Sequence, residues 1–263
     1  MTDLAKEIQA LLEHRVANSG KKTSYRKPLV GFVAADNPGF LEIKKAVTPN
    51  HLLPWEILPE AKTVIAFFIP FARKVIKENQ NSAKVASSWA QAYVDTNQLI
   101  GELCQELHDF LAEKGYKTSW QPATHNFDPV TLEAKWSHRS VAYLAGMGSF
   151  GLNRMLITPV GCAGRFGSVV TSAAIAPSSF VKEEYCLYKK NKTCTYCIDH
   201  CPSGALTFEG IDKKKCYAHL LEVAEHFTDV GLCDVCGKCV VGPCAIKSLQ
   251  EREDKDADKD ALA

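Results

Sequence analysis

The sequence predicts an α/β or α+β sandwich followed by a separate cysteine-bearing module. Three observations carry this reading. Helical and strand-like hydrophobic patterns alternate through the first two-thirds of the chain. Of the eleven cysteines, nine lie between Cys186 and Cys244. Hydrophobic residues make up 46% of the 263, enough for an ordinary buried core. The expected division is 1–180 for the sandwich, 181–250 for the cysteine module and 251–263 for a tail. A net charge of +1 provides no general attraction to nucleic acid. No apolar run reaches the twenty residues of a membrane span, and no signal peptide is evident, so a soluble, cytoplasmic protein is expected.

Leu4, Ile8, Leu11, Leu12 and Val16 recur at helical spacing and predict an amphipathic helix over 3–17, ended by Asn18-Ser19-Gly20. Residues 29–35 form a short apolar run before Asp36-Asn37-Pro38-Gly39, the pattern of a buried strand entering a turn. Pro49, Pro54 and Pro59 then break up a loop containing Trp55. A second strand, 63–69, is rich in β-branched and aromatic residues and stops at Pro70. Residues 82–114 predict a long helix, with Trp89, Tyr93, Leu99, Ile100, Leu103, Leu107 and Leu111 at threes and fours. Cys104 falls on or beside that stripe and reads as a small buried side chain. Gly115 ends the helix, and 116–121 would be a third strand. A helix over 134–143 is expected to run into the turn Gly146-Met147-Gly148-Ser149-Phe150-Gly151, followed by strands at 155–158 and 168–175. The last residues are nearly all charged or small and predict a disordered tail.

The cysteine spacing points to iron–sulfur chemistry. In Cys194-x2-Cys197-x3-Cys201-Pro202, two thiolates two residues apart can grip one cluster, while a cysteine just before proline reaches a second. Two cubanes need eight thiolates. The pairing expected for one is Cys186, Cys194, Cys197 and Cys244, and for the other Cys201, Cys216, Cys236 and Cys239. Cys233 is the spare and could replace Cys236; Asn191 stands where a compact ferredoxin motif would place its first cysteine. CxxC pairs also build structural zinc sites. Against zinc, Ser203-Gly204-Ala205 after Cys201-Pro202 makes a small-residue turn that lets backbone N–H groups approach cluster sulfide, whereas zinc ribbons usually carry their pairs on hairpin knuckles. A disulfide framework does not suit a long chain without a secretory signal.

The segment from Ala145 to Thr171 is dense in glycine and permits close approach of a ligand to the backbone. It is neither a P-loop nor a dinucleotide fingerprint. Followed by Cys-x2-Cys-x3-Cys-Pro, a lone Lys215-Cys216 and a closing CxxC with Pro243-Cys244, it resembles the epoxyqueuosine reductase group, and more closely its short, double-cluster relatives without C-terminal helical repeats; that group, like the reductive dehalogenases, uses its clusters to reduce cobalt. The resemblance spans about residues 25–248. It implies a nitroreductase-like α/β sandwich that binds cobalamin, fused to a ferredoxin-like module whose two [4Fe–4S] clusters bring electrons one at a time to cobalt. An external donor such as ferredoxin or flavodoxin would supply them. On that resemblance Gly146, Gly148, Gly151 and Asn153 would line the corrin, and Arg165 would approach its periphery. Cys162 would lie near the cofactor or be a buried thiol. Asp128 and His138 are the candidate proton donors. Epoxyqueuosine reductases continue into helical repeats that help to hold tRNA, and this sequence stops soon after Cys244, which argues against nucleic acid as a partner and for a small substrate or cobalamin itself. A non-catalytic carrier of electrons or cobalamin, and a flavin-binding reductase, are the other readings.

Overall fold

The computed structural model describes residues 3–180 and 183–246. The stretch expected to be a disordered tail, 251–263, lies outside them. Helix α1 (Asp3–Ala17) buries Ala5, Ile8, Leu12 and Val16, the stripe expected of it. Strand β1 (Leu29–Ala34) follows. The proline-broken stretch after it holds two helices the sequence did not announce, α2 (Gly39–Ala46) and α3 (Pro54–Ile57), the second started by Pro54 in its first turn. Strand β2 (Thr63–Pro70) is buried at every position. Another unannounced helix, α4 (Arg73–Asn81), precedes α5 (Ser87–Glu113), the long helix of the sequence.

The third strand is shorter than expected. Strand β3 is only Thr118–Ser119, at the edge of the sheet, where half-exposed polar side chains leave nothing to hold a longer pairing. Helix α6 (His138–Leu144) starts four residues later than expected, because Ser137 caps it by accepting from the Ser140 N–H. A two-stranded ribbon, β4 (Ser149–Phe150) with β5 (Leu156–Ile157), leads into β6 (Gly164–Thr171). Strand β6 begins earlier than its apolar run, since Gly164 and Arg165 already pair with Pro70 and Ile69. The cysteine region adds α7 (Leu187–Asn191), α8 (Tyr196–Asp199), α9 (Lys213–His226) and a 3₁₀ turn at Lys238–Val240.

The main sheet has four strands in the order β1-β2-β6-β3, and every pairing is antiparallel. Its central strands are covered on both faces. Ile65, Phe67 and Ile69 of β2 meet Ile8 and Leu12 of α1 and Leu99, Leu103 and Leu107 of α5. Val64, Ala66 and Phe68 point the other way, toward Phe40 of α2 and Val141 and Ala142 of α6. The period-2 alternation of a strand thus feeds two helical layers, each buried large side chain contributing about 1.5–3 kcal/mol.

The cysteine region docks on one end of this sandwich and shares a core with it. Phe71, Val75, Ile76 and Trp89 pack with Cys186, Val223, Phe227, Val240, Val241 and Ala245. The chain after Cys244 runs beside residues 160–163, with Cys162 N–H donating to Cys244 O at 3.0 Å and Ala163 N–H to Ala245 O at 3.2 Å. Arg26 straps the junction by donating to Phe71 O, Val160 O and Ile246 O. Among the described residues no helix is long and apolar enough to cross a membrane.

Candidate functional site

Cysteines far apart in sequence converge in two groups. Cys186, Cys194, Cys197 and Cys244 share the wall of a small hollow with Leu152, Asn153 and Ile157. Cys201, Cys216, Cys236 and Cys239 share the wall of a larger cavity of about 360 Å³. The electrostatics divide the same way. Burial pushes the Cys197 thiol up to about 12, helped by Cys244, Cys186 and Cys194. Cys239, raised by burial first, then feels Cys236 and Cys216 before Cys197 and Cys201. It also reaches the small hollow, so the two groups adjoin. Among the described residues no three His, Cys, Asp or Glu side chains converge on a point suited to a single ion. A cubane needs a wider cradle, with one thiolate at each of four corners.

Local sequence explains how the loops present these sulfurs. Thr195 Oγ1 donates to Asp199 Oδ2 at 2.6 Å and tightens the turn between Cys194 and Cys197. Beyond α8, burial raises the Cys201 thiol, but the Ser203 hydroxyl and the N–H groups of Leu206, Ala205 and Ser203 aim at its sulfur and bring the net shift below the ordinary value. The small residues after Cys201-Pro202 thus present N–H donors to a cysteine sulfur. Asp212 caps α9 by accepting from Lys215 N–H at 3.0 Å, which sets Cys216 in the first turns of that helix. Gly237 separates Cys236 from Cys239 with φ +72°; a Cβ there would lie 2.2 Å from the Trp89 ring. Only glycine lets that loop rest on Trp89. Buried Asn79 donates to Cys236 O at 3.0 Å and accepts from Ala86 N–H at 3.0 Å, and Lys238 Nζ donates to Asn79 O and Ser82 O. Cys233 is fully buried in the shared core, its thiol pushed up to about 11 by burial and then by Asp234. Cys236, in contrast, faces the larger cavity.

The larger cavity opens away from the second group of cysteines toward a polar cluster of which the sequence had pointed to Arg165 alone. Tyr93 Oη donates to Asp234 Oδ1 at 2.6 Å and lies 3.0 Å from Thr124 Oγ1. His125 Nε2 is 3.5 Å from the same carboxylate oxygen. The Arg165 guanidinium stacks over the Tyr93 ring, 4.4 Å from its centroid. Burial raises the Tyr93 hydroxyl and lowers the Arg165 guanidinium. Arg165 Nε is shut off from solvent without a hydrogen-bond partner among the described residues. A second cavity of about 280 Å³, lined by Trp136, His138 and Arg139, shares Thr124, Phe127, Met155, Gly164 and Arg165 with the first. In sequence, Tyr93 is one more member of the α5 stripe and Asp234 one more acid beside a cysteine; neither carries a signal of its own.

The expected site residues fall in different places. Arg165 lies where the two cavities meet. Gly146, with φ +74°, packs on Ser179 O, Gly148 on the backbone of Ile157, and Gly151 on the Ile157 and Asn153 side chains. The close approach these glycines allow is to the chain itself. Buried Asn153 donates from Nδ2 to Cys239 O at 3.0 Å and lies 3.8 Å from both Cys244 Sγ and Cys162 Sγ. It belongs to the wall of the small hollow. His138 is buried and fully engaged: Nδ1 is 2.8 Å from Ser168 Oγ and Nε2 is 3.1 Å from Pro122 O. Burial lowers it to about 4, with Arg165 and His51 adding to the effect against the Pro122 bond. Asp128 lies outside both cavities, on an exposed turn where it accepts from the Val130 and Thr131 N–H groups at 2.8 Å; those bonds hold its carboxyl below the usual range.

The sequence and fold have relatives. No protein-family model matches the chain. Over 189 residues it is 30% identical to epoxyqueuosine reductase from Bacillus cereus (strain ATCC 14579), a match covering 69% of this chain and 44% of the relative. The chain thus spans under half the length of that curated relative. Among solved structures, an epoxyqueuosine reductase in complex with an epoxyqueuosine-modified tRNA-Tyr stem loop superposes with a TM-score of 0.57 at 20% identity, covering 91% of this chain and 66% of that one. A reductive dehalogenase studied for B12-dependent dehalogenation gives a TM-score of 0.58 at 15% identity, covering 90% of this chain and 30% of that one. At such identities these two establish a shared fold. The expectation against nucleic acid as a partner draws no support from the first of these, which is bound to a tRNA stem loop.

Proposed function

We propose, from the premise that this chain is an epoxyqueuosine reductase-like, reductive dehalogenase-like protein, that it is a reductase dependent on two [4Fe–4S] clusters and a corrinoid. The observation that carries the reading is the convergence of eight cysteines into two adjoining groups, with a cavity running from the second group to Arg165. When bound, the clusters and the corrinoid supply one-electron reduction at strongly negative potential. Cys186, Cys194, Cys197 and Cys244 would hold one cluster, and Cys201, Cys216, Cys236 and Cys239 the other.

The fit for a corrinoid rests on the joined cavities and on the orphaned Arg165 Nε, since Gly146, Gly148 and Gly151 face their own chain. Arg165 would hold an amide or phosphate oxygen of the ligand, and Phe127, Met155 and Trp89 would keep water from the reacting face. Three groups are candidates to deliver a proton. The Tyr93 hydroxyl lies on the cavity wall with its proton shared toward Asp234. His138 is neutral at ordinary pH and bonded at both nitrogens. Asp128 would need its turn to rearrange to reach the cavity. Geometry favours Tyr93 Oη.

Two substrate classes follow, a small reducible molecule or a modified base in tRNA, the second favoured by the tRNA stem loop on a structural neighbour. The test is anaerobic reconstitution followed by addition of cob(II)alamin. About eight irons per chain, a perturbed cobalt electron-paramagnetic-resonance signal, and loss of that perturbation in Arg165→Met are expected. About four irons or fewer, or no cobalamin binding at micromolar concentration, would overturn the proposal. An electron or cobalamin carrier is the second reading; it gains if Tyr93→Phe leaves every reductive activity intact while iron content holds.

A further inference from the structure

The glycine-rich stretch from 146 to 165 has no face on the larger cavity at its three expected glycines, yet it supplies donors to the first group of cysteines. Leu152 N–H donates to Cys186 Sγ at 3.4 Å. Asn153 Nδ2 donates one hydrogen to Cys239 O at 3.0 Å and turns the other between Cys244 Sγ and Cys162 Sγ, each 3.8 Å away, while its Oδ1 accepts from Met155 N–H at 3.0 Å and so fixes which end of the amide faces sulfur. The Cys162 thiol lies 3.6 Å from Cys244 Sγ, with Val240 O at 3.8 Å as its other acceptor. Cys162 and Asn153 are both buried, so water does not compete for these bonds. Cys162 is also anchored on its backbone, since its N–H bonds to the carbonyl of the very residue its thiol faces.

From this arrangement we propose that Cys162 and Asn153 set the reduction potential of the first cluster by donating S–H and N–H hydrogen bonds to Cys244 sulfur. The inference rests on the reading that Cys186, Cys194, Cys197 and Cys244 hold a cluster. A cluster gains an electron on reduction, and the added negative charge is shared with its thiolate ligands. Donors to a ligand sulfur stabilise that reduced state and move the potential upward. No comparable side-chain pair converges on a second-group sulfur among the described residues; there Ser203 and backbone N–H groups face Cys201. The two clusters would accordingly be tuned by different donors, side chains at Cys244 and mainly backbone N–H groups at Cys201. Cys162 is a positioning and tuning residue in this scheme and not a ninth ligand.

The experiment is a potentiometric titration of the reconstituted full chain, followed by electron paramagnetic resonance, for the wild type, Cys162→Ala, Cys162→Ser and Asn153→Leu. Cys162→Ala and Asn153→Leu are expected to shift one cluster to more negative potential, by about tenfold in its reduction equilibrium or about 59 mV for one electron, and to leave the other in place. Cys162→Ser keeps a donor and should fall between wild type and alanine. Pulsed resonance in H₂O and D₂O should show an exchangeable proton coupled to the first cluster that disappears in Cys162→Ala. Unchanged potentials in both Cys162→Ala and Asn153→Leu, with about eight irons retained, would overturn this proposal and leave the functional reading standing. Iron falling to about four in Cys162→Ala alone would make Cys162 a ligand and overturn it too. About four irons or fewer in the wild type would bring down both.

Discussion

Along β2 every residue from Thr63 to Pro70 is buried, and the alternation of its side chains is answered by apolar stripes on helices above and below. Between Cys186 and Ile246 the regular structure is two single-turn helices, one 14-residue helix and a 3₁₀ turn. There the loops take their shape from individual bonds: Asn79 and Lys238 on the Cys236–Cys239 loop, Asn153 on Cys239 O, and Arg26 on Ile246 O. The sandwich is held by many small, redundant packing terms. The cysteine region depends on a few donors, on the core it borrows from α4 and α5, and on whatever its thiols bind.

The largest contrast between the two regions should appear on removal of iron. Chelation or oxidative loss of the clusters is expected to release amides of residues 186–246 to hydrogen exchange, while those of β2 and β6 stay protected; uniform protection in both states would mean that packing alone holds the cysteine region. Next in size, Phe67→Ala in the fully buried centre of β2 should cost about 3–5 kcal/mol in chemical denaturation. The apo and reconstituted proteins should lose similar amounts, because the sandwich does not use the clusters.

Acid should act on the sandwich through His138. Its folded-state value, about 4, lies below the ordinary 6.5, so the unfolded chain binds the proton more readily. The contribution is fully present above about pH 6.5 and is lost as pH falls toward 4, on the order of 3 kcal/mol in all. Stability of wild type against His138→Gln, measured from pH 7 to pH 4, should show the wild type alone carrying that slope. The smallest of the effects is Asn79→Ala, expected to cost about 1–3 kcal/mol by leaving Cys236 O and Ala86 N–H unpaired. It should also loosen the second cluster in preference to the first, seen as faster iron release from one of two kinetic phases.

The two regions also differ in how far the sequence revealed them. Helix α1, the stripe of α5 and the strand β2 were legible because burial repeats with the period of the element. Helices α2, α3 and α4 were not: eight, four and nine residues respectively, they are too short for a period to stand out, and one of the prolines that suggested a loop, Pro54, instead begins α3. The eight cysteines that line the two hollows were legible from spacing, and so was the N–H-rich turn after Pro202. The environment of Asn153 was not, because two of the residues it touches, Cys239 and Cys244, lie 86 and 91 positions away. Tyr93 and Asp234, 141 positions apart, meet only once α5 and the last loop are packed together.

Sequence alone pointed to thiols gathering in two sets beside an α/β or α+β sandwich, since periodicity and short-range spacing are properties of a chain read locally; that every strand pairing of the main sheet is antiparallel came from the fold. Only the tertiary structure decided that the glycine-rich turn packs on its own backbone and turns Asn153 and Cys162 toward Cys244, and that Arg165, Tyr93 and Asp234 form the polar wall beyond the second set. Contacts of that kind arise where segments distant in the chain are pressed together by burial, and no local pattern records which side chains will then face one another.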